Sequence, residues 1–434
     1  MYGGGVFLLI YTVKYGDTIF SISRKLGVSH AFLAEWNGLS PPYSLAVGQA
    51  LMILTPKTTY TVQSGDTVNS IAQDTGASPR DIFANNPVLF GGLNDIYPGQ
   101  TLVISFAEDR SYEITTNGYA YPFISDAALY GNSPYFTYIS PFTYGFTPDG
   151  ELLALDDERI LDVSSSLGTA ALMHLSTLTE SGVFSSELAS TLLGSPSARQ
   201  NLIANILQNI RQKGFVGLDI DFEYLDASDA VPYANFISEA REVLNAYGYI
   251  VIAALAPKSY AEQPGQLYEG HNYALIGAAA NYVLLMTYEW GYTYGPPMAV
   301  APIDSVRRVV EYAVSEIPPE KIYMGLPNYA YDWTLPYIAG ARGALGLGND
   351  EAVRLAADVG AEIQFDERAK TPYFNYYKDG ELHEVWFEDV RSMEAKLALL
   401  KEYGLYGAGV WNIMRPFTQG FLYMQATNSI RAEP

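Results

Sequence analysis

The sequence predicts an α/β protein in which a closed (β/α)8 barrel with a small α+β insertion follows two small strand-helix-helix-strand units. Three observations in its 434 residues carry that expectation. A segment of the form Tyr-x-Val-x-x-Gly-Asp-Thr occurs twice near the start. From Tyr112 onward, apolar strand-forming runs alternate with helical stretches, which is the pattern of a parallel sheet with helical crossovers. The interval between the last two of those runs is far too long for one crossover helix, and it contains short strand-like runs of its own.

The repeat comes first. Tyr11-Thr-Val-Lys-Tyr-Gly16-Asp17-Thr18 returns as Tyr60-Thr-Val-Gln-Ser-Gly65-Asp66-Thr67. Each copy leads into an apolar-periodic run (19–26 and 68–75), a turn glycine (Gly27, Gly76) and a second short helix ending near Asn37 or Asn86. Each closes on Gly48-Gln49-Ala50-Leu51 or Gly99-Gln100-Thr101-Leu102. Gly-Asp-Thr reads as a turn that ends in a helix N-cap. The units are expected at 10–54 and 59–105, with short linkers at 55–59 and 105–111 that keep them close together.

Eight strand candidates follow, at 113–121, 135–144, 170–176, 215–223, 249–255, 281–288, 321–327 and 407–413. Eight is the number that closes a TIM barrel, here expected over 112–434. A helix at 197–213 places Leu202, Ile203, Ile206, Leu207 and Ile210 on one face and stops at Gly214. Within the long gap, runs at 362–365, 373–377 and 382–387 read as strands, the last two joined by a hairpin at Lys378-Asp379-Gly380. They mark an insertion at about 334–387, a lobe that would deepen one wall of the barrel mouth.

Composition narrows the function classes. A formal charge of -22 removes the phosphate-neutralising term that nucleic acid or an anionic membrane surface would need, so neither is expected as a partner. Without cysteine there is no thiol nucleophile, disulfide or Cys-ligated zinc. The apolar run at 6–10 has neither a basic start nor a small-residue cleavage site, and no signal peptide is expected. No stretch approaches the ~20 apolar residues of a membrane span. The 35 tyrosines offer abundant surface for stacking.

The fourth strand candidate carries the chemistry. Asp219, Asp221 and Glu223 alternate with Leu218, Ile220 and Phe222, so the three acids share one face of a strand otherwise built for burial. They lie at the C-terminal end of that strand, where barrel enzymes keep their active sites. Three readings stand for them: a structural network with basic partners, a Mg²⁺ or Ca²⁺ site, or acid/base catalysis. The neighbouring strands carry almost no basic residue. Only four histidines exist, with His174 alone on a barrel strand, which argues against a transition-metal site; no metal and no other cofactor is expected.

The two repeats resemble LysM domains through Tyr-x-Val-x-x-Gly-Asp-Thr, the Asn near the second helix and the Gly-Gln-x-Leu close. The resemblance implies binding of N-acetylglucosamine chains, as in peptidoglycan or chitin. The barrel resembles glycoside hydrolase family 18, whose fourth strand reads Asp-x-x-Asp-x-Asp-x-Glu; here the segment is Val216-Gly217-Leu218-Asp219-Ile220-Asp221-Phe222-Glu223. Three of the four acids match and Val216 replaces the first. Met286-Thr287-Tyr288-Glu289 is similar to the sixth-strand Met-x-Tyr-Asp, with Glu289 in place of Asp. The third-strand Ser-x-Gly-Gly is absent, the chain reading His174-Leu175-Ser176-Thr177.

That resemblance implies Glu223 as general acid, Asp221 and Tyr288 as groups acting on the substrate's acetamido group, and Asp219 as the residue that orients Asp221. It also implies Trp411, Met286, Glu289, Tyr331, Asp332 and Trp333 as substrate-binding residues. The combination of modules resembles bacterial spore cortex-lytic N-acetylglucosaminidases. It implies a monomer in the spore envelope that hydrolyses β-1,4 bonds after N-acetylglucosamine in peptidoglycan with retention. A chitinase and a non-catalytic peptidoglycan-binding protein are the alternatives.

Overall fold

The structure, a computed structural model, describes residues 8–108, 110–179 and 182–432. Val6 and Phe7, the first residues of the apolar run weighed as a leader, lie outside the described residues. Among the described residues no helix is long and apolar enough to cross a membrane.

Each repeat folds as one two-stranded antiparallel sheet backed by two helices. Leu9–Thr12 pairs with Ala50–Ile53 in the first unit and Pro56–Thr61 with Thr101–Phe106 in the second. The repeated residues do equivalent work in both. Tyr11 and Tyr60 donate their hydroxyls to Asp17 and Asp66 at 2.8 and 3.0 Å, fixing the turn. Thr18 and Thr67 then cap the helices Ile19–Leu26 and Val68–Thr75 by accepting from the amides of Ser21 and Ser70. Asn37 clamps its helix to the closing strand, donating to the Leu33 and Met52 carbonyls and accepting from the Met52 amide. Asn86 does the same with Ile82 and Val103. The expected linker at 55–59 is not one. Its backbone is largely the strand Pro56–Thr61, which the sheet uses as an edge.

The eight barrel strands are Glu113–Ala120, Tyr138–Pro141, Ala170–Ser176, Gly217–Asp221, Ile250–Leu255, Tyr282–Leu285, Ile322–Pro327 and Gly407–Trp411. Each pairs in parallel with the next, and the eighth pairs with the first through Gly407↔Thr115 to Val410↔Gly118, which closes the barrel. Tyr119, Tyr138, Leu172, Ile252, Leu284 and Tyr323 are among the side chains that fill its interior. The helix before the fourth strand spans Pro196–Lys213 and ends on Gly214 at φ 78°, a left-handed position that glycine occupies without a Cβ clash.

The inserted lobe is larger than expected and begins earlier. A five-stranded antiparallel sheet takes in Ala330–Leu335 and Leu345–Leu347 as well as Gln364–Asp366, Thr371–Lys378 and Glu381–Trp386. The helix Asn349–Val359 packs on it around Ala352, Ala356 and Phe374.

The two N-terminal units are docked on this body. Gln419 donates to Asn37 at 2.6 Å and to the Ala50 carbonyl at 2.9 Å, and the Ile363 amide donates to Val47 at 2.8 Å. At Gly48 the approach is so close that a Cβ would stand 1.8 Å from the Ile363 carbonyl oxygen. The second unit is held by the Tyr135 hydroxyl on Ala84, Arg80 on the Pro134 carbonyl and Gln425 on Asp81.

Candidate active site

The fourth strand ends at Asp221, and Asp219 and Asp221 point to the same side two residues apart. The chain then turns. His271 accepts the Ala256 amide at Nδ1, so its Nε2 carries the hydrogen and donates to the Phe222 carbonyl at 2.9 Å. Burial keeps this ring neutral, its pKa pushed down to about 4. The bond pins the strand end from which Glu223 projects. Tyr224 follows at φ 56°, and Glu289, after the sixth strand, has φ 68°. Non-glycine residues rarely adopt such values, and here both lie at the barrel mouth.

Glu223, Asp221, Tyr288, Met286, Glu289 and Trp411 all line one depression of about 610 Å³ at the C-terminal end of the barrel. A second depression of about 480 Å³ shares Tyr121, Glu289 and Trp411 with the first, so the two form one continuous groove. Trp411 is half-buried, its ring 4.8 Å from that of Phe142 and 5.8 Å from that of Tyr119. Glu289 accepts hydrogen bonds from the hydroxyls of Tyr329 and Tyr331.

The acids form a graded row. Asp219 is fully buried and accepts from Asn117 and Ser140, both at 3.2 Å. Burial lifts its pKa to about 6 against the pull of its Tyr119, Ser140 and Asn117 partners. Asp221 is pushed well above the usual carboxylate range by burial first, then by the charges of Glu223 and Asp219. Glu223 is raised to about 7, again by burial first and then by the Glu289 charge. His174 Nε2 stands 3.8 Å from Asp221 Oδ2, but burial drives that ring's pKa down to about 3, so it brings no positive charge. The reading of the row as an ion-pair network therefore finds no charged partner among the described residues. Nor does any group of three His, Asp or Glu among them have the geometry to hold a metal ion.

Two of the residues expected to bind substrate lie away from the groove. Asp332 lies inside the lobe, accepting from the Tyr376 hydroxyl at 2.6 Å and facing His383 Nδ1 at 2.9 Å. Trp333 is buried, with its Nε1 donating to the Gly295 carbonyl. Both belong to Ala330–Leu335, a strand of the lobe sheet, and of the three residues only Tyr331 reaches the groove. The lining residues missed include Tyr119, Tyr121, Phe142 and His174 at the ends of the first three strands, and Tyr268 and Tyr292 after the fifth and sixth. His174 carried the one available signal, as a lone histidine on a barrel strand opposite Asp219 in register.

The model of glycosyl hydrolases family 18 matches residues 172–415, and the LysM domain model matches 11–53 and 60–105. The chain is 37% identical over 422 residues to the cortical fragment-lytic enzyme of Bacillus subtilis (strain 168), covering 96% of this chain and 97% of that one. It is 34% identical to the putative sporulation-specific glycosylase YdhD of the same organism, with coverage of 95% and 97%. The crystal structure of the Bacillus cereus spore cortex-lytic enzyme SleL superposes with a TM-score of 0.83 at 32% identity, over 98% of this chain and 99% of that one. A barrel with carboxyl groups at the mouth of its fourth strand, matched over more than half its length by that family model and along nearly its whole length by these relatives, makes this chain a glycoside hydrolase belonging to glycosyl hydrolases family 18.

Proposed function

We propose that the chain is a retaining N-acetylglucosaminidase that cleaves β-1,4 bonds after N-acetylglucosamine in spore cortex peptidoglycan fragments, acting as a monomer in the spore envelope. The observation that carries this reading is the pair Asp221 and Glu223, two buried carboxyl groups lining one groove with Glu223 raised to about 7. A carboxyl group held near that value is still partly protonated at neutral pH, as protonation of a glycosidic oxygen requires. The names of the relatives, cortical fragment-lytic enzyme and spore cortex-lytic enzyme, and the two LysM domains support the cortex as target.

Family 18 departs from the two-carboxylate scheme and uses the substrate's own acetamido group. Glu223 gives its proton to the leaving oxygen as the C1–O bond breaks. The acetamido carbonyl oxygen attacks C1 from the opposite face and closes an oxazolinium ring. As positive charge forms on the acetamido group, Asp221 passes its proton to Asp219, the adjacent acid of the row, and as the carboxylate accepts the acetamido N–H and offsets that charge, while Tyr288 donates its hydroxyl to the same group. Asp219, held by Asn117 and Ser140, fixes the position of Asp221. Glu223, now a carboxylate, takes a proton from water as that water attacks C1, the ring reopens and the β configuration is restored. Trp411 forms the floor under the reacting sugar and Met286 part of its wall.

The test is mass spectrometry of cortex fragments digested by wild type and by Glu223→Gln. New N-acetylglucosamine reducing ends, first formed as the β anomer, are expected from the wild type alone. The substitution should lower kcat on the order of 10²- to 10⁴-fold while fragments still bind. Equal activity in the two proteins removes Glu223 from this role. Turnover of chitin oligomers in preference to cortex fragments favours a chitinase instead, and binding without cleavage by the wild type favours the non-catalytic reading.

A further inference from the structure

The groove is acidic at its reacting end, with Asp221, Glu223 and Glu289 on its walls, in a chain whose net charge is -22. Among the described residues, Arg415 is the one Lys or Arg side chain that lines either depression, and it lies in the second, next to Trp411 and Tyr331. A cation in that place is unusual for this molecule, and it is carefully held. Its backbone carbonyl accepts from the side chains of Asn132 and Asn328 at 3.2 and 3.0 Å. Its Nη1 donates to Glu351 Oε2 at 2.6 Å, and Glu351 in turn accepts the Gly348 amide. Nη2 reaches the Gly346 carbonyl only at 3.5 Å, and Nε makes no hydrogen bond among the described residues. One edge of a pre-positioned guanidinium thus stays available, with the side chain 44% exposed on the groove.

A guanidinium edge is matched to a carboxylate, which it binds through two parallel N–H donors. Peptidoglycan supplies that group where chitin does not. Its sugars alternate, so the sugar on either side of an N-acetylglucosamine is a muramic acid. That sugar bears a lactyl ether ending in a carboxylate, free or extended into a short peptide with carboxylates of its own. The second depression adjoins the first at Trp411, so a sugar seated beside that ring neighbours the one cut above it, whichever way the glycan runs. We propose that Arg415 recognises the acidic substituent of the muramic acid adjacent to the reacting N-acetylglucosamine and so selects peptidoglycan over uncharged acetamido-sugar chains. This inference rests on the peptidoglycan reading above and extends it to a specificity residue.

The experiment compares two alternating N-acetylglucosamine/N-acetylmuramic acid tetrasaccharides, one with free lactyl carboxylates and one with the same groups as methyl amides. The quantity is the ratio of kcat/KM for the charged glycan to that for the neutral one, measured on each protein preparation so that any loss of folded protein cancels. Wild type is expected to favour the charged glycan about tenfold, the scale of a charge-assisted hydrogen bond at a half-exposed site. Arg415→Gln is expected to bring the ratio near one through KM, and Arg415→Lys to restore part of it. A ratio that Arg415→Gln leaves unchanged overturns the proposal, because it marks the ion pair with Glu351 as a strut between barrel and lobe. Should wild type cleave neither glycan, the proposed reaction fails. The same ratio read as Kd by calorimetry then decides on Arg415 separately.

Discussion

Replacing Glu289 with Gln should move the basic limb of the pH–rate profile to lower pH. Glu223 must be protonated to act as the acid, so kcat/KM falls as pH rises through its pKa, raised from 4.5 to about 7. At pH 7 an ordinary glutamic acid is protonated to well under one per cent, whereas a group with a pKa of about 7 is about half protonated. Burial is the larger of the two causes of the rise and the Glu289 charge is the other, so Glu289 accounts for less than half of it. Removing that charge therefore lowers the limb by no more than about one pH unit, which at pH 7 costs up to about fivefold in kcat/KM. Below about pH 5, where both proteins hold the proton, the charge effect disappears. Glutamine retains a carbonyl oxygen to accept from Tyr329 and Tyr331, so the rim keeps its shape.

The assay is chromatographic measurement of kcat/KM on cortex fragments from pH 4.5 to 9 for wild type and Glu289→Gln. Asp221 and Glu223 interact, so the limb belongs to the pair and the observable is its displacement, not a value for one residue. A limb that stays in place, or moves upward, refutes the claim that the Glu289 charge acts on the acid. A uniform loss at every pH refutes it equally, because it points to lost binding.

Two stability predictions follow from buried carboxyl groups away from the groove. Glu35 accepts the Val88 amide across the junction of the two LysM units, and burial raises its pKa to about 7, so the stability present below the unfolded value is lost as pH rises through about 7. Glu35→Gln should leave the melting temperature at pH 4 almost unchanged and raise stability at pH 8 by up to about 3 kcal/mol; the same difference at both pH values would contradict it. Lys396 and Glu388 form an ion pair at 2.7 Å in which each side chain is 1% exposed. Lys396→Met leaves that carboxylate buried without its partner and should cost about 3–5 kcal/mol in urea unfolding, most of it regained in Glu388→Gln/Lys396→Met. A double variant as unstable as the single one would show that packing, not the unpaired charge, sets the cost.

Periodicity made the barrel legible, because most barrel strands are short apolar runs followed by helical ones, and such runs keep their identity wherever the chain places them. The acid row was legible for the same reason: Asp219, Asp221 and Glu223 break a run of buried residues at alternate positions. Ala330–Leu335 defeated that reading. Tyr331 and Trp333 share one face of this strand, and from sequence both resemble groove aromatics. The strand sends Trp333 beneath Gly295 and leaves only Tyr331 near Glu289, a distinction set by the lobe sheet and not by the local sequence. Asp332, on the other face, is claimed by Tyr376 and His383, 44 and 51 residues away in the chain. The rest of the groove wall comes from the ends of different strands, and no local pattern brings Tyr119, Phe142 and His174 together.

The docking of the LysM units has a consequence for how the protein meets an insoluble glycan. A module on a flexible linker raises the local concentration of substrate but leaves its direction free. Here the linker at 55–59 is largely consumed by the strand Pro56–Thr61, and Asn37, which clamps the first unit internally, is also the acceptor for Gln419 of the barrel domain. Gly48 shows how tight that seat is, since any Cβ there meets the Ile363 carbonyl of the lobe. The lobe that contributes Tyr331 to the groove wall is thus the same body against which the first LysM unit rests. A glycan held by that unit would be presented in a fixed relation to Trp411 and Glu223, so that binding by the repeats would orient the chain at the groove as well as retain it.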